Sequence, residues 1–303
     1  MEKTVKEFPL VSIITIAYNR PGILQQLLRS IYNSTYKKIE VIVVNNSREE
    51  FRQGYEEVLK EFPEIRHIWS GKNLLISGAW NAGFKEAKGD IILFCGDDYV
   101  FEKDMIKSMI DTINKSEKVG VVGAVMYYAR TDKILNAGNS FSFYTGTISI
   151  NNAKSEDYEV DIIDSIVMIK RRLLKEIGLF DEENFPFYLE SADLCMRAKL
   201  RGYKCVISSK AKVWHEYFAQ IALRVPEPDR YENLQTYFYL MRSKIRYIRK
   251  YANTLQKISF FSIFLSLLAC WHIGIIAVRS KHKPILKIKY LIKGIFSGLL
   301  GKL

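Results

Sequence analysis

For the first hundred residues, short apolar runs alternate with segments of helical period. Leu10 to Ala17 (LVSIITIA) is rich in β-branched residues and predicts a strand; Tyr18-Asn19-Arg20-Pro21-Gly22 turns from it into a helix reaching about Asn33, with Pro21 in the first helical turn. Lys38 to Val44 predicts a second strand ending in Asn45-Asn46-Ser47, and a polar helix follows from about Glu49 to Glu61. Glu64 to Trp69 makes a third short strand and Ser77 to Ala87 a helix. Asp90 to Cys95 is too short and too apolar for an amphipathic helix, so it reads as a strand buried on both faces. Gly96 stops it and delivers Asp97 and Asp98. Strands and helices alternating at this spacing imply βαβ units, hence a parallel doubly wound sheet with right-handed crossovers.

Beyond Val100 the pattern changes. Glu102 to Lys115 is amphipathic, Val119 to Met126 reads as a strand, and Leu135 to Ile150, full of Gly, Ser, Thr and aromatics, suggests antiparallel strands. Asp161 to Ile169 predicts another strand and Arg171 to Ile177 a helix. A further helix starts near Glu190, which spaces Glu190, Asp193 and Arg197 along one face. Lys204 to Ser208 and Ala211 to Trp214 predict two short strands, and His215-Glu216 follows at once.

Charge changes the picture of the last quarter. Of the 303 residues, 48% are hydrophobic, ample for a packed core, and the formal net charge is +12. Residues 231–303 hold thirteen Lys or Arg against the single acid Glu232, which accounts for the whole excess. Interleaved with long apolar runs, this charge points to an anionic membrane surface. A grip on DNA or RNA calls for basic charge on the folded domain too, so nucleic acid is not expected as a partner.

Four cysteines without Cys-x-x-Cys spacing argue against a zinc knuckle and for buried thiols in a reducing compartment. Met1 to Glu7 is too charged for a signal peptide, which places the folded domain in the cytoplasm.

The candidate chemistry lies at strand ends, where open α/β sheets bind ligands. Asp97 and Asp98 repel each other, a cost that a hard cation between them and a phosphate offsets; the alternative is an Asp-rich turn that caps the next helix. Asn45 and Asn46 either face a nucleotide or make turns. His215 is either a metal ligand or a structural histidine. Glu190 and Asp193 either do chemistry or form a cap with an Asp193–Arg197 ion pair. There is no G-x-G-x-x-G after the first strand and no G-x-x-x-x-G-K-[ST] anywhere, so neither a dinucleotide cofactor nor a P-loop reaction is indicated.

Taken in order, VSIITIAYNRP, IEVIVVNNS, NLLISGAWNAGFKEAKGDIILFCGDD, GLFDEENFPFYLESADLCMRAKLRGYKC and AKVWHE closely resemble the family-two inverting nucleotide-sugar glycosyltransferases of GT-A fold. The rhamnosyltransferase-like branch, which extends polysaccharide and lipid-linked glycans, is nearest in flavour, down to the closing run Lys293 to Lys302. The resemblance implies an α/β, Rossmann-like, mainly parallel sheet flanked by helices in residues 1–230, with a helical membrane-associating extension in 231–303. It also implies inverting transfer from a nucleoside diphosphate sugar, with Mg2+ or Mn2+ on the diphosphate and a carboxylate deprotonating the acceptor hydroxyl. Such a metal would stabilise the charge on the leaving diphosphate, and a base on the opposite face of the sugar would enforce inversion.

Carried over by position, Asp98 is the last acid of the family's D-x-D motif, Asp97 its middle residue, and Gly96 replaces the first acid. His215 matches the metal-contacting histidine, so Asp98, Asp97 and His215 are the implied metal set. Ala17, Tyr18, Asn19, Asn45, Asn73, Ser77, Asn81 and Asp97 fall in the nucleotide-facing segments, although the family usually has Asp where this chain has Asn45. The family's E-D-V-D-L-C is here Glu190-Ser191-Ala192-Asp193-Leu194-Cys195. Ser191 thus stands where the base normally stands. Serine is no general base at neutral pH, so Glu190 or Asp193 takes the role, or the protein transfers slowly or not at all. The alternative to an enzyme is a nucleotide-sugar-binding relative that acts as a partner or scaffold; a nucleotidyltransferase lacks its glycine-rich, lysine-containing loop here.

In the extension, Tyr237 to Tyr251 predicts a helix with a basic stripe, and Ile258 to Val278 is a charge-free run long enough to cross a bilayer. Ser259, Ser262, Ser266 and His272 give it a small polar stripe, and a second apolar face follows at Ile285, Ile288, Ile292, Ile295 and Leu299. Two adjacent helices with basic flanks fit an interfacial anchor better than a single span, the plain alternative being a helix pair buried against the catalytic domain. A peripheral protein on the cytoplasmic face, acting on a polyprenyl-linked acceptor, is the expectation.

Overall fold

The computed structural model describes residues 9–216, 234–280 and 283–301. Met1 to Glu7, the boundary near residue 230 and Lys302 lie outside the described residues.

The first half follows the apolar runs closely: β1 (Val11–Ala17), α1 (Pro21–Tyr32), β2 (Ile39–Asn45), α2 (Arg52–Leu59), β3 (Arg66–Trp69), α3 (Leu75–Glu86) and β4 (Ile91–Gly96). Then come β5 (Tyr99–Phe101), α4 (Met105–Ile113), β6 (Val119–Tyr128), β7 (Ile134–Asn136), β8 (Asn139–Phe141), β9 (Ile148–Ile150), β10 (Tyr158–Glu159) and β11 (Val167–Lys170). The rest is α5 (Arg171–Ile177), α6 (Glu190–Leu200), β12 (Lys204–His215), α7 (Leu234–Tyr251), α8 (Thr254–Ser259), a π-helical turn at Phe260–Phe264, α9 (Leu265–Arg279) and α10 (Pro284–Leu300).

The main sheet runs β10-β12-β6-β11-β4-β1-β2-β3. Strands β4, β1, β2 and β3 are parallel, as the βαβ spacing predicts, and β1 is central to them, its Val11 level with both Ile39 and Ile91. The other half departs from a wholly parallel sheet. β11 runs antiparallel to both β4 and β6, while β12 is parallel to β6, so the sheet is mixed. The reason is connection: β11 is reached through the β7–β10 excursion rather than a crossover helix, so the handedness that fixes βαβ direction does not act on it.

Local differences have local causes. The strand expected from Asp161 begins only at Val167, because Ser165 adopts a left-handed φ of 60° just before it. The two short strands after Lys204 are one strand, β12, whose register against β6 shifts between Ser208 and Lys212. That length lets β12 reach β5, pairing His215 with Tyr99. Residues 99–101 were hidden in the sequence behind the two acids they follow.

One face of the sheet is covered by α1 and α4 through Leu24, Leu27, Leu28, Met105 and Met109. The other is covered by α3, α5 and α6 through Trp80, Leu174, Leu194 and Ala198. A third apolar cluster, with Phe185, Ala192, Ile245, Tyr247 and Phe260, joins α7 and the π turn to α6 and its preceding loop.

The extension corrects one expectation. Arg242, Lys244 and Arg246 are buried, so α7 does not carry a basic stripe to a surface. Arg242 and Arg246 donate to the carbonyl of Glu183, Arg246 also to Asn184 Oδ1, and Arg249 donates to the carbonyls of Gly298 and Gly301 at the end of α10. Cations at a helix carboxyl end are favourable, and here they lock α10 to α7. The approach is close: a Cβ at Gly294 would lie 2.1 Å from the Phe238 carbonyl oxygen. Outward from this pair the surface is apolar. Leu255, Ile258, Ile263, Leu267, Trp271, Ile285 and Phe296 are all more than half exposed.

Candidate active site

The carboxyl ends of β1, β2 and β4 lie side by side, and the chain leaves each strand through polar residues. Asp97 and Asp98 follow β4 and are both buried. Burial and mutual repulsion raise the Asp97 carboxyl, and Arg20 opposes them. The Arg20 guanidinium reaches Asp97 Oδ1 at 2.7 Å and Asp98 Oδ2 at 3.3 Å, bridging the pair. The second Asp97 oxygen accepts the backbone N–H of Tyr18 at 3.0 Å. Asp97 is therefore engaged on both oxygens and fixes the β1 turn to the β4 turn. In the sequence Arg20 is one of three polar residues after a strand; only the fold shows it between two acids.

Asp98 and His215 are brought together by the β5–β12 ladder. The Glu216 N–H donates to the Asp98 carbonyl at 2.9 Å, and the His215 ring stands edge-on to Tyr99 with centroids 4.6 Å apart. Among the described residues no three His, Cys, Asp or Glu side chains are grouped closely enough to hold a metal ion. The implied three-ligand set of Asp98, Asp97 and His215 is thus not assembled, because Asp97 is spent on Tyr18 and Arg20. Asp98 and His215 supply one carboxylate and one imidazole at neighbouring strand ends, a donor set that fits Mg2+ or Mn2+ when a diphosphate and water supply the other positions.

The nucleotide-facing candidates divide. Ala17 is fully buried and its carbonyl accepts the Asn46 N–H; Tyr18 is 37% exposed beside it. Asn19 sits at φ 56° with Oδ1 accepting the Arg48 N–H at 3.1 Å, which ties the β1 turn to the β2 turn. Asn45 is buried, accepts the Ser47 N–H at 2.9 Å and approaches His67 Nε2 at 3.4 Å. Asn73 is exposed and accepts the Leu75 N–H. Ser77 and Asn81 are bonded to the segment between Phe180 and Phe185. Ser77 Oγ donates to the Phe185 carbonyl, and Asn81 bonds the Phe180 backbone at both ends of its amide and Glu182 Oε1 at 2.7 Å. Both side chains hold α3 to the loop before α6.

At α6 the three candidates have different surroundings. Asp193 is fully buried and saturated: Oδ2 accepts from Arg197 at 2.8 Å, and Oδ1 from Lys250 at 2.8 Å and Tyr251 at 2.6 Å. A carboxylate held by three donors is a structural anchor, which removes Asp193 from the candidates for the base. Glu190, at the first turn, is 6% exposed and its Oε2 has no hydrogen-bond partner among the described residues. Loss of solvent pushes its carboxyl up to about 8, and the nearby charge of Asp164 adds to this. Ser191 Oγ is likewise buried without a partner. Tyr188 and Leu189 immediately ahead have φ of 63° and 64°, a left-handed pair that sets the entry of α6 and carries stored strain. Asp164, Lys250 and Tyr251 gave no signal in the sequence, since nothing in spacing links them to residue 190 or 193.

The glycosyl transferase family 2 profile matches residues 12–178. An uncharacterized glycosyltransferase of Bacillus subtilis (strain 168), YwdF, is 31% identical over 198 residues, 60% of this chain and 68% of the relative. The glycosyltransferase GlyA of Streptococcus pneumoniae serotype 4 is 24% identical over 68% of this chain, which spans only 32% of that relative. Among solved structures, the mannosyltransferase PcManGT of Pyrobaculum calidifontis, in complex with GDP-Man and Mn2+, has a TM-score of 0.59 at 15% identity, covering 98% of this chain and 89% of its own. GalNAc-T7 with UDP, GalNAc and Mn2+ has a TM-score of 0.61 at 13% identity, over 88% of this chain and 58% of its own. These last two likenesses establish the fold, and none of the four singles out a rhamnosyl branch.

Asp193→Asn removes the fully buried charge that Arg197 and Lys250 share, leaving Lys250 only Asp181. A loss of about 3 to 5 kcal/mol is expected in urea unfolding, the range for breaking a buried pair. A loss under 1 kcal/mol would return Asp193 to the candidates for chemistry.

Proposed function

Because the chain belongs to glycosyl transferase family 2, we propose that it transfers a sugar, with inversion, from a nucleoside diphosphate sugar to a hydroxyl of a glycan acceptor, with Glu190 as the base. The observation that carries this is the Glu190 carboxyl, nine-tenths buried with one oxygen unpartnered at the start of α6. Burying such a group costs stability, which a binding relative or scaffold has no reason to bear. Its raised affinity for protons suits it to take one from a hydroxyl.

Asp98 and His215 would hold Mg2+ or Mn2+, which when bound neutralises charge on the leaving diphosphate. The Mn2+ in both structural neighbours supports this reading. Arg20 keeps the acidic pair in place, and the turns after β1 and β2 form the nucleotide-facing wall. Glu190 approaches from α6 on the other side, with Ser191 beside it. The exposed apolar face of α8, α9 and α10, with Lys283, Lys289 and Lys293 exposed around it, supports a peripheral position on the cytoplasmic membrane surface and a polyprenyl-linked acceptor. Thr254–Val278 is also long and apolar enough to cross a bilayer, with a mean hydropathy of 2.2.

Thermal-shift titration with nucleoside diphosphates should give a rise in midpoint that needs Mn2+ or Mg2+, and Asp98→Ala should abolish it. Equal affinity in chelator would remove the metal from this reading.

Glu190 must lose its proton before it can act, so turnover should climb as pH rises through about 8. Glu190→Gln should flatten that limb and lower turnover on the order of 10²-fold. The stability sign is opposite. A carboxyl whose folded-state pKa is raised stabilises the fold below its ordinary value of 4.5 and loses that contribution as pH rises from there to about 8, so Glu190→Gln should gain relative stability across that range and in alkali. An undiminished rate in Glu190→Gln would place the base elsewhere.

Flotation with phosphatidylglycerol and phosphatidylcholine vesicles tests the surface reading. Binding that weakens with salt is expected of an interfacial anchor, while resistance to both salt and alkali would make Thr254–Val278 a span.

A further inference from the structure

The segment that delivers Glu190 has no regular structure of its own, yet each of its carbonyls is held. Residues 183–187 belong to no helix or strand, so no ladder supplies donors to them. Two helices do so instead. From α3, Ser77 Oγ donates to the Phe185 carbonyl, and the Ile76 and Ser77 N–H groups donate to that of Pro186 at 3.1 and 3.2 Å. From α7, Arg242 donates to the Glu183 carbonyl at 2.7 Å and to the Asn184 carbonyl at 3.1 Å, and Ser243 Oγ to the Phe187 carbonyl at 2.8 Å. Five successive carbonyls are thus shared between a helix of the sheet domain and a helix of the extension.

The α7 contacts do more than fill space. Arg242 is 9% exposed and Ser243 is fully buried. Taking a guanidinium out of water is unfavourable unless its N–H groups find acceptors, and a planar fork that reaches two successive carbonyls fixes their direction as well as their place. Directly after Phe187 come Tyr188 and Leu189 at φ of 63° and 64°. Two bulky residues in the left-handed region persist only where their surroundings over-determine the backbone. One anchor of this pair is Phe187, held by Ser243; the other is the first turn of α6, where the Asp193 N–H donates to the Leu189 carbonyl. Glu190 follows at once, buried, with Oε2 unpartnered among the described residues.

We propose that Arg242 and Ser243 are positioning residues of the transfer reaction. By holding the carbonyls of Glu183, Asn184 and Phe187 they fix the left-handed step from which Glu190 enters α6, so the base is set in place by the extension and not by the sheet domain alone. The inference rests on the reading of Glu190 as the base and deepens it, since α7 becomes part of the active site.

The test follows the Glu190 carboxyl by NMR through a pH titration of the full chain made with isotope-labelled glutamate, the signal being identified by its loss in Glu190→Gln. In the wild-type chain the midpoint should lie near 8. Releasing the segment admits water to Glu190. Ser243→Ala and Arg242→Met should therefore lower the midpoint by roughly one pH unit or more toward the ordinary 4.5, and the rising limb of turnover should move with it. Ser243→Ala changes no charge, and Asp164 ahead of β11, whose charge acts on Glu190, stays in place, so a shift there reports position and solvent. A merely structural role would lower the thermal midpoint and leave the titration of the folded chain where it was. Arg242→Lys, which can still donate to one of the two carbonyls, should fall between wild type and Arg242→Met. Arg249→Met, which loosens α10 instead, should leave the titration unchanged. The proposal is overturned if Ser243→Ala and Arg242→Met titrate as wild type does, or if Arg249→Met shifts the midpoint as far as they do. Should Arg242→Met not fold, Ser243→Ala decides alone. Binding of a panel of nucleoside diphosphates with Mn2+, measured in parallel, separates the two readings. Its absence in the wild-type chain sinks the transferase, whereas binding with an unmoved Glu190 titration sinks the positioning role alone.

Discussion

The carboxylate of Asp193 holds the two halves of the chain together. Fully buried, it is acceptable to the fold only because Arg197, Lys250 and Tyr251 all donate to it. Arg197 in turn donates to the carbonyls of Ile177, Gly178 and Leu179, and Lys250 also reaches Asp181 at 3.1 Å. One acid therefore fixes α6, the loop behind α5 and helix α7 at once. The extension is part of the site's architecture through this knot, since α7 could not leave without exposing the charges that converge there.

That constraint explains how two neighbouring acids on one helix come to differ. Asp193 points into the knot and is saturated with donors, while Glu190, three residues earlier, is buried with an unpartnered oxygen and is driven up by loss of solvent. The left-handed pair Tyr188 and Leu189 carries strain that the surrounding packing must hold, with Ser77, Asn81 and Ser243 all bonded to backbone between residues 180 and 187. After β4 the same logic recurs with the roles reversed: Arg20 offsets the repulsion of Asp97 and Asp98, so the acids stay close. Like groups in divided environments thus come to hold their protons differently.

The alternating half of the fold is legible in the order of residues alone. Runs such as Val11 to Ala17 and Ile91 to Cys95 are readable as strands because burial on both faces leaves no other use for them, and helices between parallel strands dictate the crossovers. The order of residues also placed Asp98, His215 and Glu190 at element ends, since turn chemistry and strand length are local properties. The family motifs, matched over residues 12–178, carried the reaction class with them. Who pairs with whom emerges only in the folded chain. The direction of β11, the burial of Arg242, Lys244 and Arg246, the use of Asn81 as a brace and the saturation of Asp193 by residues nearly sixty positions away all depend on contacts between distant segments. Charge counted along the chain made residues 231–303 look like a basic surface. In the fold much of that charge is turned inward onto carbonyls and carboxylates that converge from elsewhere in the chain, and no local pattern records that convergence.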